Sequence, residues 1–129
     1  MPHPCHGIIG VERGVRMCTQ GEVRAIVADM RARLEGLFPQ QRIDAILFGS
    51  YARGDAEDGS DIDVMFLVDS PRQDIARQHW RIGEAAAEIL LERGVLVSPV
   101  VEERAYYERN ADVLPFFRNV RREGVAIHG

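Results

Sequence analysis

Gly49-Ser50, ten intervening residues and then Asp61-Ile62-Asp63 place a turn that phosphate can approach closely just ahead of two carboxylates at strand spacing. Residues two apart on a strand project to the same face, so Asp61 and Asp63 converge while Ile62 and Val64 turn toward a core. Two carboxylates about 4 Å apart repel by roughly 4 kcal/mol at an effective dielectric near 20. A divalent cation turns that repulsion into a ligand pair. Hard oxygen donors select Mg²⁺ or Mn²⁺, and Mg²⁺ is commonly held by one or two carboxylates, water and substrate phosphates. Gly49 leaves room for a phosphate where a Cβ would obstruct it, and Ser50 adds a hydroxyl to the backbone N–H groups of the turn. Arg53 is placed to hold a terminal phosphate through its guanidinium fork. Alone, the glycine-serine pair reads as a turn and the acidic stretch as a solvated loop; joined at this spacing between two apolar runs, they read as a metal-nucleotide site. A phosphatase-type Asp-x-Asp needs its aspartates at the C-terminal end of a strand, whereas this pair begins one.

The charge distribution agrees. Asp55, Glu57, Asp58, Asp61 and Asp63 supply five of the twenty acids within nine positions. The remaining fifteen acids nearly cancel the sixteen basic residues, so the net charge of −4 is local to one loop and argues for a bound cation rather than a generally acidic surface. Broad nucleic-acid binding is not indicated. Every basic residue is arginine. The absence of lysine excludes a Walker-type loop lysine, a Schiff base and a lysyl-nucleotidyl intermediate.

These residues need a framework. The apolar positions Val23, Ile26, Val27, Met30, Leu34 and Leu37 follow helical spacing from Glu22 and stop before Pro39. Strands are expected at 42–48 and 61–68, separated by a gap longer than a hairpin turn needs, which itself points to function. Ser70-Pro71-Arg72-Gln73 reads as a capped helix start, with Pro71 at the first helical position and the helix running to about residue 93 before Gly94. Ile75, His79, Ile82, Ala86, Ile89 and Leu90 would share its apolar face. A third strand at 95–101 and two shorter helices near 102–110 and 112–122 complete an α-β-β-α-β-α order. The fold class is α+β, a small mixed sheet flanked by helices. At 129 residues the chain supports one domain. Residues 1–20 are expected as a loosely held tail and 21–129 as the domain. His3, Cys5 and His6 lack a partner motif and read as tail residues rather than metal ligands. Cys5 and Cys18 suit reduced thiols. No apolar run approaches membrane-spanning length, and the expected location is the cytoplasm. Tyr106-Tyr107 and Phe116-Phe117 can each turn only one member inward, and the other members are compatible with a homodimer or a heteromeric interface.

Gly49-Ser50-x10-Asp61-x-Asp63, with Phe48 before it and Tyr51-Ala52-Arg53-Gly54 within it, resembles the signature of the minimal nucleotidyltransferases of the DNA polymerase β superfamily. The resemblance is specific over residues 46–68 and extends in element order over about 22–122. Pro115-Phe116-Phe117-Arg118-Asn119-Val120-Arg121-Arg122-Glu123-Gly124 is similar to the tail of the same small bacterial proteins. These are often antitoxins encoded beside a HEPN-domain ribonuclease toxin, and some transfer AMP from ATP to a tyrosine of that toxin. The resemblance implies a palm-like nucleotidyltransferase fold and ATP as substrate. It implies Asp61 and Asp63 as catalytic metal ligands, Gly49 and Ser50 on the triphosphate, and in-line attack on the α-phosphate with pyrophosphate leaving. One departure stands out: many members carry a third carboxylate on the next core strand, where this chain has Leu96 or Ser98. Glu102, of the same parity, is the candidate substitute as a metal ligand. The missing acid leaves a second reading open, a non-catalytic module that binds its partner and silences it by occlusion. A third, a small-molecule nucleotidyltransferase of the antibiotic-modifying kind, usually needs an acceptor domain for which little chain remains.

Overall fold

Four strands form one mixed sheet. We describe residues 17–128 from a computed structural model. In chain order the elements are α1 (Gln20–Leu37), β1 (Asp44–Phe48), α2 (Ser50–Arg53), β2 (Ile62–Val68), α3 (Arg72–Arg77), α4 (His79–Arg93), β3 (Val97–Glu103), α5 (Arg104–Asn110), α6 (Pro115–Glu123) and β4 (Val125–Ile127). The sheet order is β3-β2-β1-β4. β1 pairs antiparallel with both β2 and β4, and β2 pairs parallel with β3. The parallel pairing requires the crossover that α3 and α4 provide.

β2 is covered on both faces, which is why its sequence is almost continuously apolar. Ile62, Val64, Phe66 and Val68 meet Ile26, Val27, Met30 and Leu34 of α1 together with Ile82 and Ile89 of α4. Met65 and Leu67, on the opposite face, meet Tyr107 of α5 and Phe117 and Val120 of α6. The result is three layers, with the helical stripe of α1 buried as its spacing predicts. α1 starts earlier than the apolar stripe suggests. Thr19 Oγ1 accepts from the Glu22 N–H at 3.1 Å and the Glu22 carboxylate accepts from the Thr19 N–H at 2.7 Å, a reciprocal cap that satisfies two otherwise orphaned donors.

The expected single helix from residue 70 is two. Ser70 does not cap it: the Ser70 Oγ accepts from the Gln41 side chain at 2.9 Å, and the Ser70 N–H donates to that same amide at 3.2 Å. Pro71 takes the N-cap position, and the helix breaks at Gln78, where φ is −94° and ψ 3°. His79 and Leu90 are consequently exposed rather than on the buried face. The third strand begins at Val97 rather than at residue 95 and runs through Glu103, past the expected residue 101. β4, absent from the expected order, adds a fourth strand by pairing Val125 to Ile127 with β1. The last part of the expected tail belongs to the domain: Cys18 is buried, Thr19 caps α1 and Gln20 is helical. Cys18 is disulfide-bonded, contrary to the expected reduced thiol. Cys5, His3 and His6 lie outside the described residues. Among the described residues no helix is long and apolar enough to cross a membrane.

Candidate functional site

The site is built where β1 stops. Gly49 has φ 76° and ψ −156°, a combination open in practice to glycine alone. A Cβ at Gly49 would lie 2.3 Å from Asp63 Oδ2, so the same residue is excluded from carrying a side chain by conformation and by space. This follows from register, because Phe48 is the cross-strand partner of Asp63. The chain then winds into the single turn of α2, with the Ala52 and Arg53 N–H groups donating to the Gly49 carbonyl at 3.0 Å each. Ser50 opens that turn and Arg53 ends it. The long gap between the first two strands therefore carries a compact turn followed by the acidic loop.

Asp61 and Asp63 sit at the start of β2 on the face opposite Ile62 and Val64. Burial pushes the Asp63 carboxyl above the ordinary carboxylate range, and the Asp61 carboxylate adds to the rise. Arg53 opposes the shift and Glu123 contributes to it. A carboxyl that is costly to ionise beside a second carboxylate is the electrostatic signature of a pair suited to a cation. Among the described residues no group of three or more His, Cys, Asp and Glu side chains is arranged to hold a metal. A cation here would therefore rest on Asp61 and Asp63 and take its other oxygens from water and phosphate, the habit of Mg²⁺.

On β3 the residue in register with Asp63 is Ser98, whose hydroxyl lies 3.4 Å from Asp61 Oδ2. Ser98 thus takes the place beside the pair, and Leu96 is 44% exposed ahead of the strand. The structure does not bring Glu102 to Asp61 and Asp63. It lies four residues further along β3, about 13 Å at the usual rise of a strand, opposite Leu67. Its carboxylate is held by Arg72 at 3.0 Å and by the Glu103 N–H at 3.0 Å. Glu102 is an ion-pair residue of the β3–α3 seam.

A residue that the spacing does not single out arrives instead from the end of α6. Glu123 Oε1 accepts from the Gly49 N–H at 3.0 Å and from Arg53 at 3.3 Å. Its place in the 115–124 tail segment is the only signal in the sequence, and that segment says nothing of partners 74 and 70 residues away. Phe116, also from α6, packs edge-on against Phe48 with ring centroids 5.5 Å apart. A cleft of about 360 Å³ borders the turn through Tyr51, Ala52 and Gly54 and a second of about 410 Å³ lies at the β3–α3 seam, and neither is lined by Asp61 or Asp63.

The model of the nucleotidyltransferase domain family matches residues 27–119 of this chain. The chain belongs to the nucleotidyltransferase domain family. The matched span holds the turn, both aspartates and the three longest strands. Two relatives, both from Methanocaldococcus jannaschii, bear the name "Putative protein adenylyltransferase". One is 29% identical over 106 residues, covering 82% of this chain and 90% of its own length. The other is 29% identical over 83 residues, covering 64% of this chain and 82% of its own length. A chain from a crystal structure of a toxin–antitoxin with AMP-PNP shares the nucleotidyltransferase fold with a TM-score of 0.52 at 22% identity, over 82% of this chain and 73% of that one.

Proposed function

We propose that this nucleotidyltransferase moves AMP from ATP, with Mg²⁺, to a hydroxyl of a protein partner, and that it serves as the antitoxin of a HEPN-type toxin. The observation that carries the reading is the contact between turn and carboxylates: Gly49 is folded so tightly onto Asp63 that no side chain fits between them. Phosphate held on the turn would lie beside the pair of aspartates. The names of the Methanocaldococcus jannaschii relatives support protein as the acceptor, and the toxin–antitoxin with AMP-PNP supports a nucleotide site and a toxin partner on this fold.

In this reading Gly49 and Ser50 bind and orient the triphosphate, Arg53 neutralises charge on its distal phosphates, and Asp61 and Asp63 hold the cation. A divalent cation bound there supplies charge neutralisation and polarisation of the phosphoryl oxygens. The acceptor hydroxyl attacks the α-phosphorus in line, a new P–O bond forms, and the bond to the bridging oxygen breaks with pyrophosphate leaving. Ser98, a weak base, stands where a carboxylate would take the hydroxyl proton, so that proton passes to water. That one observation favours the second reading, in which the protein binds its partner and inhibits it by occlusion.

Label from the α-position of ATP, carried with Mg²⁺ onto the product of the neighbouring gene, separates the two. Transfer of α- but not γ-label, lost in the Asp61→Asn/Asp63→Asn double variant, is the expected result. Tight binding without label, with the double variant still inhibiting at full stoichiometry, would establish occlusion.

A further inference from the structure

Gly124 explains how Glu123 comes to lie on the turn. A Cβ at Gly124 would stand 2.3 Å from the Val120 carbonyl oxygen and 2.5 Å from Ile46 Cγ2. Only a residue without one lets the end of α6 press against β1. The chain then continues directly into β4, which pairs with β1 through Leu47 and Val125. Helix end and strand together fix the height at which Glu123 projects, and its carboxylate meets the Gly49 N–H and the Arg53 guanidinium.

Those two donors are the ones that the nucleotide reading assigns to phosphate. A carboxylate and a phosphate present the same kind of anionic oxygen, and a backbone N–H has one hydrogen to give. The position is otherwise unfavourable for an acid, because Asp61 and Asp63 already bring two carboxylates to the same place. Among the groups around the Glu123 carboxylate, the turn N–H and Arg53 favour it there and the Asp63 carboxylate opposes it.

We infer that Glu123 is an internal competitor for the phosphate subsite: its carboxylate and a phosphate group of a nucleoside triphosphate exchange places on the Gly49 N–H and the Arg53 guanidinium. This rests on the nucleotide reading of the site and deepens it. Glu123 then sets the affinity, lowering it for triphosphate on entry and recapturing the donors as pyrophosphate departs. It is a positioning residue and takes no part in bond making.

The test is binding. ATP with Mg²⁺ is titrated calorimetrically into the full chain and into its Glu123→Gln and Glu123→Ala variants, with thermal melts confirming that each folds. Charge-assisted bonds are roughly twice as strong as neutral ones, so Glu123→Gln is expected to bind ATP about five- to tenfold more tightly than the parent. Glu123→Ala should tighten binding at least as much. The Gly49 amide resonance provides a readout independent of affinity. It should start at different positions in the parent and in Glu123→Gln and reach the same position in both at saturating ATP. Equal or weaker binding by both variants would overturn the inference and leave Glu123 as a brace of the turn. If the parent binds ATP in that case, the nucleotide reading survives. If neither parent nor variants bind it, both fall.

Discussion

Gly49 and Asp63 illustrate how closely a single residue type is dictated at this site. Gly49→Ala must place a methyl group 2.3 Å from the Asp63 carboxylate in a backbone conformation that side chains avoid. We expect a loss of about 1–3 kcal/mol of stability and a loss of ATP binding, measurable by denaturant titration and calorimetry. Asp63 supplies a complementary expectation. Burial and the Asp61 charge hold its carboxyl above the usual value, so its folded form binds a proton more readily than the unfolded one. The stability linked to this group is complete below the unfolded carboxylate value and is lost as pH rises through the folded one. In metal-free buffer at neutral pH, Asp63→Asn should therefore melt above the parent. The same variant should lose nucleotidyl transfer, because an amide is a poorer ligand for a hard cation. An unchanged melting temperature would show that the repulsion is relieved elsewhere.

At the scale of elements, α1 and α4 are tied by one carboxylate. Asp29 accepts from Arg33 at 2.9 Å and from Arg93 at 2.9 Å, and Arg33 reaches on to Glu88 and Glu92 of α4. Burial pulls the Asp29 carboxyl upward, but the two guanidiniums together outweigh it and hold it below its ordinary value. The stabilisation is present above the unfolded value and is lost as pH falls through the folded one. Asp29→Asn should cost about 1–2 kcal/mol at neutral pH, and the difference from the parent should shrink in acid when both are unfolded by urea. The pairing of β2 with β3 yields a second expectation. Ser98 is in register with Asp63 and touches Asp61, so Ser98→Asp puts a third carboxylate beside the pair. It should bind Mn²⁺ at least about tenfold more tightly, since each added carboxylate raises the charge of the ligand set. Metal titration followed by electron paramagnetic resonance reads this directly.

For the whole molecule, the sheet separates two kinds of work. Its face toward α1 and α4 is a continuous apolar core, whereas its other face gives α5 and α6 a smaller cluster and leaves the β2 entrance to the aspartates. Concentrated acidity at that entrance leads us to expect that divalent cations stabilise the fold. A site with a dissociation constant near 1 mM should gain about 1.4 kcal/mol of stability in about 10 mM Mg²⁺. That corresponds to a rise of about 5 °C in melting temperature for a domain of this size. The Asp61→Asn/Asp63→Asn double variant should show no comparable rise, and chelator should reverse the effect in the parent. α6 carries a further load, because Phe117 joins Tyr106 and Tyr107 in edge-on contacts at centroid distances of 5.9 and 5.2 Å.

The α+β class, the α1 stripe and the strands on either side of the gap were legible because each depends on periodicity within a short window, and helix and strand spacing are local properties. Gly49-Ser50 and Asp61-x-Asp63 were legible as residue types for a similar reason: Asp63 follows Ser50 by thirteen positions, and the antiparallel pairing of neighbouring strands brings them together. That only one member of each aromatic pair turns fully inward follows from helical geometry, while packing against Met65 and Leu67 decided that it is Tyr107 and Phe117. The loss of the Ser70 cap was hidden, since Gln41 takes Ser70 from 29 residues away, and so was the break at Gln78, whose side chain donates to the Leu37 carbonyl 41 residues back. β4 was hidden by its length of three residues, which acquires meaning only when β1 offers an edge. Parity alone made Glu102 a substitute for the absent acid; the parallel register of β2 and β3 set Ser98 beside Asp63 and gave Glu102 to Arg72. Glu123 reaches the turn only through tertiary structure, because a hydrogen bond across 74 residues depends on where α6 ends against the sheet. The sequence by itself determined which chemical groups are present and which local elements carry them, while long-range packing decided which of the acids meet.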